Sequence, residues 1–165
     1  MAPPTPVLRQ VTVEVLSTLG WLHGTLHVPA VQTLLDFFSL SSHLVTATSV
    51  RVPQESALLG FVALRRDSIT LVAPTLTGPL LAVPGSHGPT TPRDVACLLD
   101  HGVLRGQLEV TVGLRLSDHL RQHGPYIVLR HCLFAPYGAT LQSPESKTLE
   151  ATIVNLHRVA GVSEA

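Results

Sequence analysis

The chain has 165 residues, of which 45% are hydrophobic and only 13% are charged, and its formal net charge is zero. The lack of a basic excess disfavours nucleic-acid binding through an electropositive face, and no apolar run approaches the roughly eighteen residues of a membrane-spanning helix. So few charges favour a chain that buries surface against a protein partner or a copy of itself. The N-terminal residues lack the charged and apolar regions of a signal peptide, which predicts a cytoplasmic protein.

The first predicted elements form a strand pair. Residues 1–8 are rich in proline and are predicted to be a flexible tail. Val11, Val13 and Val15 then alternate with polar residues, which predicts a half-buried strand. Residues 20–28 have the pattern G-x-L-x-G-x-L-x-V, a glycine turn followed by alternating faces, and so predict the second strand of a hairpin.

The hydrophobic period changes after this hairpin. Residues 31–38 carry apolar side chains at helical spacing, which predicts about two helical turns. Residues 43–52, 58–64 and 69–72 return to β-forming residues and predict three further strands.

A proline- and glycine-rich segment at residues 75–92 is predicted to be a linker stiffened by proline. It divides the chain into a first unit at 9–74 and a second unit at 93–162. The apolar residues at 80–83 predict that part of the linker packs on a neighbouring surface.

The second unit repeats the first at an offset of 82 residues. Residues 13–52 and 95–134 align without a gap, and residues 102–110 repeat the motif of residues 20–28. The sequence thus predicts a mainly β fold with short helices (α+β), built as two tandem β-β-α-β-β-β units that are bent sheets or barrel-like. Whether these units pack face to face or continue one sheet stays open. The identical pairs fall mostly on glycines and on the apolar face: Val13/Val95, Leu16/Leu98, Gly20/Gly102, Leu22/Leu104, Gly24/Gly106, Leu26/Leu108, Val28/Val110, Leu34/Leu116 and Asp36/Asp118.

Two resemblances follow from these motifs. The glycine hairpin and the later strands of the first unit, at residues 11–26, 43–52 and 62–74, resemble the Sm-like and more loosely the SH3-like barrel, although the helix after the second strand departs from that pattern. The second unit is similar to an uncharacterised family of small bacterial domains that has a G-x-L strand (residues 106–108) followed by R-L-S-D-x-L (residues 115–120). This second resemblance implies a domain type and no catalytic residues.

Histidines raise the question of a metal site. His119 and His123 are four residues apart and can share a helical face, and His131 and Cys132 follow. A zinc site needs a third or fourth ligand at a defined place, which the sequence does not supply, so neither a metal nor a cofactor is predicted. His123 also suits the C-terminal end of a helix, where a cation complements the helix dipole.

The two cysteines are predicted to be buried free thiols. Cys97 and Cys132 correspond, at the repeat offset, to Val15 and Val50, which is typical of small core residues. A disulfide, a metal site and a reactive thiol are the alternatives.

No catalytic constellation is predicted. Asp36 and Asp118 form the one acidic pair kept between the units, either as ligands or bases or, as we expect, as caps of backbone N–H groups near the short helices. Ser117, Asp118 and His119 are adjacent on one helix and cannot converge as a catalytic triad requires.

Four residues are candidates for partner binding: Trp21, Arg65, Arg66 and Tyr137. Trp21 and its counterpart Val103 are both apolar on the outward side of a strand, so that face is expected to be covered by a helix, by the other unit or by a partner. The basic turn at Arg65 and Arg66 is either solvated or in contact with phosphate.

The predicted function is a non-catalytic scaffold or accessory subunit that binds other proteins, or itself, through its two β units within a larger complex. The alternatives are an Sm-like nucleic-acid-binding protein and a small-ligand or metal-binding protein.

Overall fold

The computed structural model describes residues 1–40, 42–53, 57–75, 88–138 and 143–165. These residues form a mainly β fold with two short helices, as the sequence predicts. The first half contains β1 (Leu8–Ser17), β2 (Gly20–Pro29), α1 (Leu34–Leu40), β3 (Leu44–Arg51), β4 (Leu59–Arg65) and β5 (Ile69–Pro74). The second half contains β6 (Thr90–Leu99), β7 (Gly102–Thr111), α2 (Leu116–Gln122), β8 (Tyr126–Pro136), β9 (Lys147–Asn155) and β10 (Val159–Glu164).

Strand pairing is the same in the two halves. In the first half Leu44 lies opposite Arg65 in the β3–β4 pair, and in the second half Tyr126 lies opposite Asn155 in the β8–β9 pair. Residues at counterpart positions are 82 apart in the first three strands and 90 apart in the last two. With these offsets, the pairing of β1 with β5 matches the pairing of β6 with β10, including the register shift next to Ser17 and Leu99. A fourth or fifth strand can therefore be compared with its counterpart position by position.

The third strand of each half is bent at one residue with a left-handed backbone. Ser49 in β3 has φ 53° and His131 in β8 has φ 52°. Both positions coincide with a break in the pairing to the preceding strand, at His23/Thr25 and at Arg105/Gln107. Because an extra residue in one strand of a pair bends that strand, these bulges curve the sheet at equivalent places.

All ten strands belong to one open, bent, antiparallel sheet with the order β10-β6-β7-β8-β9-β5-β1-β2-β3-β4. The halves are joined where β5 pairs with β9, with Leu71 opposite Val154 and Val72 opposite Ile153. The question left open by the sequence is thereby answered: the halves continue one sheet. We call this strand pair the junction.

The hydrophobic core consists of two clusters that exchange residues across the junction. The cluster of the first half includes Ala151 and Ile153 from β9. The cluster of the second half includes Leu16 from β1 and Leu71 from β5. Because each cluster needs side chains from the other half, the junction is part of the core.

Some boundaries differ from the sequence prediction. Helix α1 begins at Leu34 rather than at residue 31, since Val31 is exposed in the preceding turn. Strand β6 begins at Thr90, inside the predicted linker, because Thr90 and Thr91 pair with β7. Most of that linker, including the apolar residues at 80–83, lies outside the described residues. Among the described residues, no helix is long and apolar enough to cross a membrane.

Candidate interaction surface

Among the described strands the sheet ends at β4, whose outer edge carries exposed apolar side chains. Within the described residues β4 pairs only with β3, so its outer side has no strand neighbour. The strand reads L-G-F-V-A-L-R and carries no charge before Arg65. Phe61 is 64% exposed and Leu59 is 41% exposed, and Leu58 just before the strand is also exposed. Edge strands of proteins are usually shielded by a charge, a proline or a bulge, and the middle of β4 has none of these.

The other end of the sheet is β10, which pairs only with β6 among the described strands. Its residues Val159, Ala160, Gly161, Val162 and Ser163 are uncharged, and Glu164 is its first charged residue. The strand is half-buried or exposed along its whole length. Both ends of the sheet thus present strands without charges in their central parts.

The counterparts of these exposed strands are buried at the junction. Ala151, the counterpart of Phe61, is 1% exposed, and Leu149, the counterpart of Leu59, is 7% exposed. Every residue of β5, the counterpart of β10, is buried. The difference arises from the neighbouring strand, since the pairing inside each half is the same.

Two buried hydrogen bonds hold the junction together. Thr152 Oγ1 donates to the carbonyl oxygen of Val72 at 3.0 Å. Asn155 Nδ2 donates to the carbonyl oxygen of Ile69 at 3.0 Å, while its Oδ1 accepts from the backbone N–H of His157. Thr152 and Asn155 are almost fully buried, so these bonds fix the relative position of β5 and β9 in a region without competing water.

Trp21 lies between the two halves. Its ring contacts Phe134 edge to face, with ring centroids 5.6 Å apart, and its Nε1 donates to the carbonyl oxygen of Glu145 at 3.0 Å. The ammonium of Lys147 lies 4.8 Å from the ring centroid and also pairs with Glu14 at 2.9 Å. The sequence allowed Trp21 to be covered by a helix, by the other unit or by a partner. In the structure it is the other half of the same chain that contacts Trp21.

The other three candidates for partner binding lie elsewhere. Arg65 is exposed at the end of β4, next to the free edge. Arg66 is half-buried in the 3₁₀ turn Arg66–Ser68, and its backbone N–H donates to the carbonyl oxygen of His43. Tyr137 is exposed just after β8. Trp21 therefore contacts the other half of the chain, and Arg65 and Arg66 adjoin the free edge of β4.

Sequence reasoning did not identify the free edges; it predicted partner binding at aromatic and basic residues. The available signal was the uncharged run from Ala57 to Leu64, in a chain where such strands are otherwise interrupted by polar residues. That Phe61 in β4 and Ser163 in β10 lie on strands at the ends of the sheet follows only from the strand order.

His119 in α2 and His123, directly after the helix, stack on each other. Their ring centroids are 3.9 Å apart. His119 is buried, and its Nδ1 accepts from the backbone N–H of Thr111 at 3.3 Å. Burial, then His123 and then Arg93, lower the pKa of His119. Within the described residues no group of three or more His, Cys, Asp or Glu side chains is placed to hold a metal ion.

Cys97 and Cys132 are buried free thiols, which confirms the prediction made from their valine counterparts. Burial raises the pKa of Cys97 to about 11. Burial and the neighbouring Cys97 raise the pKa of Cys132 to about 12. Since the thiolate is the reactive form, neither group is suited to act as a nucleophile at neutral pH.

The two aspartates at counterpart positions in the halves, Asp36 and Asp118, have different roles. The Asp36 carboxylate accepts from the backbone N–H of Thr33, and Thr33 Oγ1 accepts from the backbone N–H of Asp36, both at 3.1 Å. This reciprocal cap confirms the prediction for Asp36. Asp118 instead pairs with Arg121 at 3.3 Å, and α2 has no side-chain cap at Arg115, so the capping prediction was wrong there. Arg115 stands where the first half has Thr33, and its side chain cannot accept a hydrogen bond, so α2 cannot form the counterpart of the bond from the Asp36 N–H to Thr33 Oγ1.

An open groove of about 240 Å³ lies along the junction, and Glu14 from β1 and Glu150 from β9 are among the residues that line it. It is smaller than the usual range of small-molecule sites, about 300–1,000 Å³, and its wide opening would leave a ligand in water. Its shape gives little support to the small-ligand interpretation. No protein-family model, no curated protein and no solved structure matches the chain.

Proposed function

We propose that this chain is a non-catalytic assembly subunit that binds protein through the free edges of its sheet. The observation that carries this proposal is the uncharged, exposed edge strand β4, on which Phe61 is 64% exposed. An exposed edge offers a row of backbone N–H and C=O groups to another strand, and the side chains beside it add apolar contact.

The chain itself supplies support for this mode of binding. At the junction a fourth strand is covered by a fifth strand, and the side chains at the contact are buried. We infer that the two halves are tandem copies of one small β unit, since their strand order and registers correspond. On that basis β4 has the backbone geometry of a strand that accepts a neighbour.

The proposal is tested by blocking the edge. Phe61→Asp places a charge on the free edge and leaves no cavity in the core, because Phe61 is exposed. Val31→Asp is the matched control, since it makes the same kind of change at a residue that is 95% exposed and lies in a turn. Tagged wild-type and variant proteins would be used to retain proteins from the native host, followed by hydrogen exchange on the complex. We expect Phe61→Asp to abolish retention, Val31→Asp to keep it, and the amides of β4 to become protected in the complex.

A different pattern would support the nucleic-acid alternative. In that case the retained species would be RNA or DNA, its binding would weaken steeply with salt, and Arg65→Glu would abolish it while Phe61→Asp would not. Retention that is indifferent to Phe61→Asp would contradict the proposed use of the edge.

A further inference from the structure

The two strands at the ends of the sheet, each with a neighbour on one side only among the described strands, are the counterparts of the two strands that meet at the junction. The junction joins the fifth strand of the first half, β5, to the fourth strand of the second half, β9. The ends of the sheet are the fourth strand of the first half, β4, and the fifth strand of the second half, β10. One end of the sheet thus carries a fourth strand and the other end a fifth strand, which are the two types of strand that pair at the junction.

We propose that copies of this chain associate head to tail, with β4 of one copy paired antiparallel to β10 of the next. The inference rests on the proposed function, that the free edges bind protein, and it names the partner as a second copy of the same chain. The new contact repeats a contact that each copy already contains, so it needs no strand to change its pairing or its bend.

The junction also supplies the register of the proposed contact. There Leu71 lies opposite Val154 and Val72 lies opposite Ile153. By counterpart, Gly161 of one copy lies opposite Leu64 of the next, and Val162 lies opposite Ala63.

This register places Phe61 against the neighbouring copy. Its counterpart Ala151 packs in the core cluster of the half that supplies β5. Phe61 would therefore pack on the second half of the neighbouring copy, close to Glu164. The exposed apolar side chains of β4 would then lose their contact with water, which is the driving force for the association.

Side chains make the proposed contact weaker than the junction. Thr152 and Asn155, which donate the two buried hydrogen bonds of the junction, correspond to Val62 and Arg65 in β4. Val62 has no donor to replace the bond of Thr152, and the short amide of Asn155 is replaced by the long guanidinium of Arg65, although the backbone pairing is the same. The proposed contact joins separate molecules, so it is reversible and depends on concentration, whereas the junction lies within one chain.

The contact uses different surfaces on the two copies. Such a head-to-tail contact leaves one β4 and one β10 free in every open chain of copies, so it produces a closed ring or a filament. An isologous contact, β4 with β4 or β10 with β10, would instead stop at a dimer of the whole chain. This difference allows a decisive experiment.

Light scattering coupled to size exclusion, over a range of concentrations, measures the assembly of purified wild-type protein and three variants. Phe61→Asp blocks β4, and Ser163→Asp blocks β10 at an exposed residue whose counterpart Ala73 is buried at the junction. Val31→Asp is the control. We expect wild type and Val31→Asp to form species larger than a dimer at high concentration, and each edge variant alone to stay at the 17.6 kDa mass of one chain. An equimolar mixture of Phe61→Asp and Ser163→Asp should form a one-to-one dimer and nothing larger, because only one compatible pair of edges remains.

Several outcomes would overturn the inference. They are a wild type that stays monomeric at every concentration, an assembly that survives both edge substitutions, and a mixture that forms no one-to-one dimer. Circular dichroism and thermal melting of each variant confirm that a loss of assembly is not a loss of fold. The proposed function is judged separately: if wild type is monomeric but retains host proteins in a manner that depends on Phe61, only the head-to-tail inference fails. If it is monomeric and retains none, both fail.

Discussion

The two halves of the molecule pair their strands in the same way and differ in what covers the fourth and fifth strands. At the junction β9 and β5 cover each other, and Ala151 and Ile153 of β9 are buried in the core of the first half. At the ends of the sheet β4 and β10 have no such cover among the described strands. The pairing within a half is thus the same for counterpart strands. Whether their side chains are buried depends on a neighbouring strand from the other half.

The exposed ends have not acquired the protection that exposure normally requires. Neither β4 nor β10 has a charge in its central part, whereas β9, which is covered, has Lys147 and Glu150 near its start. These two end strands thus have the composition of covered strands, although edge strands usually carry a charge, a proline or a bulge. The following predictions test how far the comparison between junction and edge extends.

The largest expected difference is between two leucines at counterpart positions. Leu149 is 7% exposed on β9 and Leu59 is 41% exposed on β4. Leu149→Ala should lower the free energy of unfolding by about 2–4 kcal/mol, because truncating a buried leucine removes apolar contact and leaves a cavity. Leu59→Ala should cost less than about 1 kcal/mol in the dilute chain, since its side chain is already in water. Urea unfolding at low protein concentration measures both values.

The same leucine variants should reverse their order in assembly. Leu59→Ala should weaken the concentration-dependent association, while Leu149→Ala should not affect it at temperatures where the chain is folded. Equal losses of stability from the two substitutions would show that β4 is already covered in the isolated chain.

A smaller effect is expected from exchanging the hydroxyl at the junction. Thr152→Val gives β9 the residue found at the counterpart position, Val62, and removes the bond to the carbonyl oxygen of Val72. A buried hydrogen bond of this kind contributes about 1 kcal/mol, so the free energy of unfolding should fall by that amount. The reciprocal change Val62→Thr should not raise the free energy of unfolding of the isolated chain, because Val62 packs on the core of the first half and, among the described strands, β4 has no outer neighbour to accept the hydrogen bond.

The strands of each half and the hairpin of its first two strands could be predicted from the sequence, whereas the pairing of the fifth strand with the first was not predicted. Alternation of Val11, Val13 and Val15 with polar residues indicated β1, and the repeated glycine motif located β2 and β7. These are local signals, since a strand that packs on one face must alternate. The repeat offset then carried the same assignment into the second half, and the strand bounds agree with it to within a few residues.

The junction could not be predicted from the sequence. Many strands of this chain are apolar enough to form an end or a middle of a sheet, and the choice between them depends on contacts between residues that are about eighty positions apart, such as Val72 and Ile153. The role of Trp21 depends on the same choice, because its neighbours Phe134 and Lys147 come from the other half. From the sequence pattern alone, an apolar residue such as Trp21 that contacts the other half cannot be told from one that is exposed to a partner.

The helices offer a comparison of the same kind, which is sharpened by pH. His119 in α2 is buried and corresponds to Phe37 in α1. In the folded chain burial, then His123 and then Arg93, lower the pKa of His119 below 6.5, the ordinary value of a histidine. Below pH 6.5 the unfolded chain therefore binds a proton that the folded chain resists, so the free energy of unfolding falls as pH falls from that value.

His119→Phe, which introduces the residue of the first half, should remove this part of the pH dependence. The melting temperature of the wild type should drop more between pH 7.5 and pH 5.5 than that of the variant, although the variant should be less stable at every pH because Thr111 loses its acceptor. His43→Gln is the control, since His43 is exposed. An unchanged slope in His119→Phe would assign the pH dependence to other groups.

The smallest effect is expected where the halves differ in residue and agree in packing. Cys132 faces Gly106, and a Cβ placed on that glycine would lie 2.9 Å from the Cys132 sulfur. In the first half Val50 faces Gly24 in the same way, with the corresponding distance 3.1 Å to a Val50 methyl group. The glycine makes room for a branched side chain, so Cys132→Val should change the free energy of unfolding by less than about 1 kcal/mol. Gly106→Ala, in contrast, should lower it by about 1–3 kcal/mol, because the added methyl group would meet the sulfur and the neighbouring carbonyl oxygen of Arg130. Chemical denaturation measures both, and a loss above about 2 kcal/mol for Cys132→Val would show that the two cores are shaped differently behind the same strand register.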